Sequence, residues 1–280
     1  MRFCFRNREK TILDDPCLMG IVNVTPDSFS DGGDFFDSNA AVKHCLKLHE
    51  DGASIIDIGG ESTRPNAAEV SIEEEIKRVV PVISELKRIK PEIIISVDTR
   101  KAEVADAAVK AGADIINDVS GLENSPEIAN IAAENNTGLV LMHMRGTPES
   151  MQKTENLVYK DIVNEVIDFL TKAAQKAIDC GVKRENIILD PGIGFAKDLE
   201  QNMILIKEIK KLRESGYAVL VGHSRKSFIG KLLGRDDAKD RLAGTLAVSL
   251  YLASQGVEIL RVHDVRETSD ALKMFNVCLS

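Results

Sequence analysis

Side chains able to recognise a flat heterocycle stand at the ends of several apolar runs in the sequence. Asp98, Asn117 and Asp190 each lie near the end of a stretch rich in Ile, Val and Leu. A carboxylate accepts two parallel hydrogen bonds from a ring N–H and a neighbouring amino group, and a carboxamide both donates and accepts. These three residues therefore predict a binding site for a planar ring system rich in N–H groups.

A second set of residues predicts an anionic ligand group. The chain carries a net charge of −8, yet it clusters basic side chains after its apolar runs: Arg64, Arg225, Lys226, Arg261 and His263. Positive charge on an otherwise acidic protein favours phosphate or pyrophosphate. Arg261 and His263 are two residues apart, so they share one face of a strand. With Asn23, which lies near the end of the first long apolar run, they are candidates to hold a phosphate and its Mg²⁺ at one rim of the fold.

Two polar loops and one tight turn extend this candidate site. Apart from Phe29, positions 25–33 are polar, Gly or Pro, which is typical of a mobile loop that carries function. Residues 59–65 have a similar composition, and the glycines of 190–195 allow a close approach of backbone to ligand. A plain strand-to-helix connection is the alternative for that turn, and a loop cap is the alternative for each single polar residue. His223 is open between a structural and a functional role.

The elements that must position these residues predict a (β/α)8 TIM barrel with a short N-terminal hairpin. The hairpin is expected at residues 2–5 and 11–13. Continuous apolar runs predict strands buried on both faces, at 18–24, 54–59, 93–98, 114–119, 139–144, 187–191, 218–223 and 258–263. Amphipathic segments predict helices at 38–51, 72–89, 101–111, 126–136, 156–180, 199–215, 239–255 and 265–276. An open doubly wound sheet is the rival, although no dinucleotide-binding glycine motif follows the first strand.

The length of 280 residues suits one large α/β domain or two small ones, and the eight strand–helix units favour a single domain over residues 1–280. The cysteine usage predicts a cytoplasmic protein. Five scattered cysteines without a Cys-x-x-Cys pattern indicate reduced thiols. The absence of a long basic run argues against a nucleic-acid partner. No apolar stretch approaches the roughly 20 residues needed to span a bilayer, and no apolar export segment follows the N-terminus.

Eight motifs in order along the chain resemble those of the dihydropteroate synthase family. They lie at residues 19–33, 59–65, 96–100, 116–121, 141–144, 189–195, 224–227 and 261–263. The first and last are specific to this family, whereas Asp98, Asn117 and Asp190 are shared with other pterin-binding barrels. The resemblance implies a transferase of folate biosynthesis. It would join 7,8-dihydropterin-6-ylmethyl diphosphate to 4-aminobenzoate and release pyrophosphate.

The resemblance also implies roles for individual residues. The implied pterin site consists of Asp98, Asn117, Met142, Asp190, Phe195 and Lys226. The diphosphate would be held by Asn23, Thr63, Arg261 and His263, with Asn23 as a ligand of the cofactor Mg²⁺. The 4-aminobenzoate site would consist of Phe29, Thr63, Arg64, Pro65 and Ser227, with Asp31 ordering the loops. The implied catalytic residues are Asp98, Lys226, Arg261 and His263.

A homodimer is a further implication of the resemblance. Residues 242–253 are apolar on more than one helical face, so this segment is the candidate interface. Two alternative functions share the pterin carboxylates. A pterin-dependent methyltransferase has no use for Asn23, Arg261 and His263 as a diphosphate site, and a non-catalytic pterin-binding homologue needs neither polar loop.

Overall fold

Eight parallel strands form a closed barrel in the computed structural model, as the sequence predicts. The structure describes residues 2–5, 8–11, 16–25, 38–62, 69–147, 150–151 and 153–279. An antiparallel hairpin of β1 (Arg2–Phe5) and β2 (Arg8–Thr11) precedes the barrel. The barrel strands are β3 (Cys17–Asn23), β4 (Ile55–Gly59), β5 (Ile94–Asp98), β6 (Ile115–Asp118), β7 (Gly138–Met142), β8 (Ile187–Asp190), β9 (Ala218–Val221) and β10 (Ile259–Val262). They follow one another in chain order, and β10 pairs with β3 to close the ring.

Helices follow the strands along the chain. They are α1 (Ser38–Glu50), α2 (Ile72–Ile89), α3 (Ala102–Ala111), α4 (Ile128–Asn135), α5 (Ile162–Asp179), α6 (Leu199–Lys207), α7 (Ile209–Arg213), α8 (Ser227–Leu233), α9 (Leu242–Ser254) and α10 (Val265–Leu279). A large apolar core includes strand residues such as Val22, Ile58 and Val97 together with helix residues such as Val79 and Leu86. Among the described residues, no helix has the length and apolarity needed to cross a membrane.

The alternation of side chains along each strand explains why polar groups meet inside one end of the barrel. A second apolar cluster, which includes Met19, Ile55, Ile94 and Ile259, contains residues from all eight barrel strands. Successive residues of a strand point to opposite faces, so the inward face continues two residues later. On β4, β5 and β10, the residues two positions after this layer are Asp57, Ser96 and Arg261. The carboxyl end of the barrel is therefore polar inside, which is where barrels of this kind carry their sites.

Four local predictions differ from the structure. The second hairpin strand is Arg8–Thr11 and not 11–13, because backbone pairing in a two-stranded ribbon does not require apolar side chains. The helix predicted at 156–180 begins at Ile162, where the Asp161 side chain accepts the Asn164 amide proton. The helix predicted at 199–215 is interrupted at Glu208, and α8 was not predicted.

Candidate functional site

The three predicted recognition residues lie at or next to the last residue of barrel strands, and their side chains are buried. Asp98 ends β5, Asn117 lies one residue before the end of β6, and Asp190 ends β8. Asp98 and Asn117 are paired in register across β5 and β6. The three side chains therefore project from one end of the barrel wall, and all three are at least nine-tenths buried.

Arg261 joins the two halves of the predicted site. Its Nε donates to Asp57 Oδ2 over 2.6 Å, and its Nη2 donates to Asp98 Oδ2 over 2.6 Å. Asn117 Nδ2 donates to the same Asp57 oxygen over 3.1 Å. Asp57 is fully buried, so its charge is compensated by Arg261 and by this amide. The residue predicted for the anionic group is thus already bound to a residue predicted for the heterocycle.

Two carboxylate oxygens in this cluster are able to accept hydrogen bonds from a ligand. Within the described part of the chain, Asp57 Oδ1 and Asp98 Oδ1 are buried and accept no hydrogen bond. Burial raises the pKa of Asp98 to about 7, although Arg261 acts in the opposite direction. A buried acceptor without a partner costs free energy, so a ligand donor that reaches Asp98 would bind favourably.

Asp190 is held by the turn that follows it. Its Oδ1 accepts the Gly192 amide proton over 2.7 Å. Burial raises the pKa of Asp190 to about 6, while the Gly192 hydrogen bond favours the ionised form. A β-carbon placed on Gly222 would lie 3.8 Å from both Asp190 Oδ2 and the Arg261 Cδ. Gly222 therefore lies beside both the Asp190 carboxylate and the Arg261 side chain.

Lys226 and Phe195 form the wall beside Asp190. The Lys226 ammonium lies 4.0 Å from the centre of the Phe195 ring, a favourable cation–π contact. Phe195 also belongs to a buried apolar cluster with Met142, Met144 and Met151. Gly194 has φ +85°, and a β-carbon there would approach Lys226 Cδ to 3.0 Å, so this position favours glycine. Met142, Phe195 and Lys226 thus lie together on one side of the site.

The loop after β9 turns sharply before Lys226. Arg225 has φ 57°, and its guanidinium pairs with Asp264. The Arg225 amide donates to Thr245 Oγ1 over 3.0 Å, which ties the loop to α9. Arg225 is thereby neutralised by a carboxylate, although the sequence placed it among the charges facing an anion.

His263 differs from its predicted electrostatic role. Burial and the neighbouring Arg261 lower the pKa of His263 to about 3, so the ring is neutral at pH 7. Its Nδ1 lies 3.1 Å from Ser224 Oγ, and its backbone amide donates to the same oxygen over 3.2 Å. The sequence counted His263 as a positive group because charge at a His depends on burial, which sequence does not reveal.

The remaining predicted residues divide into two groups. Asn23 ends β3, which pairs with the Arg261 strand, and Ser227 is the exposed first residue of α8. Phe29, Asp31, Thr63, Arg64 and Pro65 lie outside the described residues. The stretch 63–68 is flanked by residues held in an ion cluster, because Arg100 donates to both Glu61 (3.0 Å) and Glu69 (2.9 Å).

Three further polar residues at strand ends, Asp118, His143 and His223, form hydrogen bonds within the fold. Asp118 accepts the amide protons of Ser120 and Leu122 over 2.8 and 2.6 Å, so it caps its own turn. His143 is buried and bonded to Lys197. His223 is fully buried against Ser249 Oγ (2.8 Å) on α9, which gives it a structural role. Asp57, a buried residue of β4, has no function assigned from the sequence, and Lys197 was not predicted.

The known proteins that resemble this chain in sequence and in fold belong to one family. The family model described as "Pterin binding enzyme" matches residues 19–263. A dihydropteroate synthase from Synechocystis sp. is 46% identical over 257 residues, which are 92% of this chain and 88% of that protein. The structure of Xanthomonas albilineans dihydropteroate synthase with 4-aminobenzoic acid superposes with a TM-score of 0.91 at 44% identity, covering 100% of this chain and 98% of that one. The same enzyme in complex with 7,8-dihydropteroate gives a TM-score of 0.89 at 42% identity, covering 100% and 99%.

Proposed function

The chain belongs to the pterin-binding enzyme family and, within it, to the dihydropteroate synthases, and we propose that it condenses 7,8-dihydropterin-6-ylmethyl diphosphate with 4-aminobenzoate. The observation that carries this proposal is the buried set of Asp98, Asn117 and Asp190 beside Arg261. It combines acceptors for a pterin with a cation for a diphosphate. Structures of relatives that contain 4-aminobenzoic acid, the proposed second substrate, or 7,8-dihydropteroate, the proposed product, support the same reaction.

In the proposed reaction, the bond between the pterin methylene carbon and the diphosphate oxygen breaks first. The electron pair leaves with the diphosphate, and Arg261 stabilises the negative charge that grows there. His263, which is neutral, contributes hydrogen bonding and not charge. The carbon left behind shares its positive charge with the electron-rich dihydropterin, and the carboxylate of Asp98 favours that distribution.

The second half of the reaction needs no strong base. The amine of 4-aminobenzoate is an aniline and is neutral at pH 7, so its lone pair attacks the methylene carbon directly. The new C–N bond forms, and the positively charged nitrogen then gives its proton to water. We assign the 4-aminobenzoate site to Phe29, Thr63, Arg64, Pro65 and Ser227, with Asp31 ordering the loops and Thr63 also reaching the diphosphate.

Arg261 changes partners in this proposal. In the structure its Nη2 is bound to Asp98. A bound pterin offers Asp98 new N–H donors, which releases one edge of the guanidinium for the diphosphate. Asp57 keeps hold of Nε and maintains the direction of the side chain. Pterin binding thereby prepares the cation that the leaving group requires.

Mg²⁺ is the proposed cofactor, with Asn23 as its protein ligand. Mg²⁺ prefers oxygen ligands, keeps several waters and is usually bound by one or two carboxylates plus substrate phosphates. The carboxamide oxygen of Asn23 would supply one oxygen ligand from the protein. Among the described residues, no group of three or more His, Cys, Asp or Glu is placed to hold a metal. The proposal therefore leaves most Mg²⁺ ligands to the diphosphate and water. When bound, the ion supplies positive charge to the leaving group.

A homodimer and a cytoplasmic location complete the proposal. The last three helices carry exposed apolar side chains: Leu233 on α8, Tyr251 on α9, and Met274 and Val277 on α10. Helix α9 packs against both α8 and α10, and exposed apolar side chains on neighbouring helices favour a protein interface. Four described cysteines are free thiols, which agrees with a reducing compartment.

One assay separates this proposal from its alternatives. The purified chain is incubated with the pterin diphosphate, 4-aminobenzoate and Mg²⁺, and products are identified by mass spectrometry. We expect 7,8-dihydropteroate and pyrophosphate in equal amounts. Methyl transfer from a methylated reduced pterin would favour the methyltransferase, and pterin binding without turnover would favour the non-catalytic homologue.

A further inference from the structure

Lys197 is a buried lysine that makes no ion pair among the described residues. Only 3% of its surface is exposed, and it lies in the loop between β8 and α6. Its Nζ donates to the Phe195 carbonyl over 2.8 Å, approaches His143 Nδ1 at 3.0 Å, and lies 3.4 Å from the His143 carbonyl. Three acceptors thus face the three protons of one ammonium group. Lysines are rarely buried unless such partners are built for them.

His143 accepts a hydrogen bond from Lys197 and connects it to the residues assigned to the pterin. Burial and the neighbouring Lys197 lower the pKa of His143 to about 2, so the ring is neutral and Nδ1 accepts from the ammonium. The ring packs edge-on against Phe169, with centroids 4.9 Å apart. The His143 amide donates to the Asp190 carbonyl over 3.0 Å. Lys197 therefore bonds to a residue that is itself bonded to Asp190.

The turn between Asp190 and Phe195 presses against the same residue. A β-carbon on Gly192 would fall 2.0 Å from the His143 carbonyl, so the two backbones are in direct contact. The Gly192 amide in turn holds the Asp190 carboxylate. The Lys197 ammonium thus contacts the Phe195 carbonyl and His143 directly. Through His143, which follows β7, it is connected to the turn after Asp190.

We propose that Lys197 is a positioning residue for the pterin half of the site, acting through Phe195 and the Asp190 turn and not by touching substrate. This inference rests on the proposed function, since Asp190 and Phe195 are assigned there to the pterin. Lys197 fixes where the ring of Phe195 lies beneath Lys226 and where the Asp190 carboxylate points.

Charge adds to this geometric role. Burial lowers the pKa of Lys197 to about 7, and the opposing influence comes from Asp190. The other charged groups that influence Lys197 are Arg145 and Lys226, which disfavour its positive charge, while the adjacent His143 is neutral. The Lys197 ammonium in turn favours the ionised form of Asp190. Removing the Lys197 ammonium therefore raises the pKa of Asp190. The loss of pterin affinity at low pH, which we call the acidic limb, should then begin at a higher pH.

The test compares Lys197→Met with Lys87→Met, which removes another largely buried lysine at the opposite end of the barrel. Lys87 donates to Asp114 and to the Ile93 carbonyl, both over 2.6 Å and both next to strand starts. We expect Lys197→Met to weaken binding of a phosphate-free pterin about 10- to 100-fold by calorimetry. The KM for 4-aminobenzoate should stay within about 2-fold, and Lys87→Met should lower only the melting temperature.

His143→Phe provides a second test that does not depend on the folding of Lys197→Met. It keeps an aromatic ring against Phe169 and removes the Nδ1 acceptor, so we expect a smaller loss of pterin affinity in the same direction. Lys197→Arg, which keeps the charge and the donors, should retain more affinity than Lys197→Met. Unchanged pterin affinity and an unchanged pH limb in the folded Lys197 and His143 variants would overturn the inference. A wild-type chain that neither binds pterin nor releases pyrophosphate would instead overturn the proposed function.

Discussion

The guanidinium of Arg261 donates to the carboxylate of Asp98 over 2.6 Å, within the candidate site. These two residues lie 163 positions apart in the chain and carry the two chemistries that the site combines. While this hydrogen bond is present, Arg261 compensates the charge of Asp98, and Asp98 accepts one of the Arg261 protons. A ligand with N–H donors at one end and an anion at the other can replace this contact. Its N–H groups would bind Asp98 in place of Arg261, and its anion would bind Arg261 in place of Asp98.

Arg261→Met is expected to destabilise the chain more at high pH than at low pH. Without Arg261, the pKa of Asp98 rises above its present value of about 7, so its ionised form becomes more costly in the folded state. That cost is present above pH 7 and disappears as Asp98 takes up a proton. We expect a loss of about 3–5 kcal/mol at pH 8 and a smaller loss at pH 6, measured by thermal unfolding. Arg261→Met/Asp98→Asn should recover part of the loss at pH 8, and an equal deficit of Arg261→Met at both pH values would contradict the argument.

Asp190→Asn is expected to remove pterin binding without weakening the fold. The amide still accepts the Gly192 proton through its oxygen, but its NH₂ group cannot accept from a pterin. We expect affinity to fall about 100-fold or more by calorimetry. Because burial raises the pKa of Asp190 to about 6, the wild-type carboxylate costs stability above that pH. The variant should therefore unfold at an equal or higher temperature at pH 8, with the difference vanishing towards pH 4.

Asp114→Asn is the matched control for that experiment. Asp114 is also a buried carboxylate, but it lies at the opposite end of the barrel and accepts from Lys87 and the Ile95 amide. Its substitution should reduce stability and leave pterin affinity unchanged. If both variants lost pterin affinity equally, the effect would come from the fold and not from recognition.

Pterin affinity is expected to fall as pH drops from 8 to 5. Recognition uses ionised Asp98 and Asp190, whose pKa values burial raises to about 7 and about 6. Protonation removes one acceptor at each residue, so affinity falls up to about 10-fold per pH unit for each group below its pKa. Calorimetry with a phosphate-free pterin keeps the titration of the diphosphate out of the result. A flat profile over this range would argue against carboxylate recognition.

Asn23→Ala is expected to raise the Mg²⁺ concentration needed for half-maximal activity by about 10-fold or more. The reason is the loss of the one protein ligand in the proposal. Pyrophosphate release is measured against Mg²⁺ after treatment with a chelator, which should abolish wild-type activity reversibly. Full activity of the wild-type chain in the presence of the chelator would show that Mg²⁺ is not required. An unchanged Mg²⁺ requirement in Asn23→Ala would show that Asn23 is not its ligand.

Tyr251→Glu is expected to convert a homodimer into a monomer. Tyr251 is 37% exposed on α9, within the apolar surface proposed as the interface. A charge buried there without a partner opposes association. Ile89→Glu, at a similarly exposed apolar position at the end of α2, is the control and should remain dimeric. Light scattering coupled to gel filtration decides the question, and a monomeric wild-type chain would reject the interface.

The barrel and most of its polar rim follow from the sequence because both depend on local pattern. Continuous apolar runs such as 93–98 mark strands, and a polar residue at the end of such a run must lie at the barrel mouth. Asp98, Asn117 and Asp190 were predictable for this reason. The short helix α8 was not, since seven residues that include Gly230 carry little helical periodicity.

The hydrogen-bonded pairs inside the site could not be predicted, because they join residues that are distant in the chain. Asp57 and Arg261 are 204 residues apart, and His143 and Lys197 are 54 apart. Nothing in the neighbourhood of Lys197 in the sequence marks it as buried. The neutral state of His263 has the same origin, since it depends on burial and on Arg261.

A crystal structure of the chain with a bound dihydropterin tests the central claim most directly. We predict that the ring N–H and amino groups lie within hydrogen-bond distance of Asp98, Asn117 and Asp190, with Lys226 and Phe195 against its faces and Arg261 Nη2 no longer on Asp98. A pterin bound away from Asp190, or an Arg261–Asp98 pair unchanged beside a bound pterin diphosphate, would contradict the account.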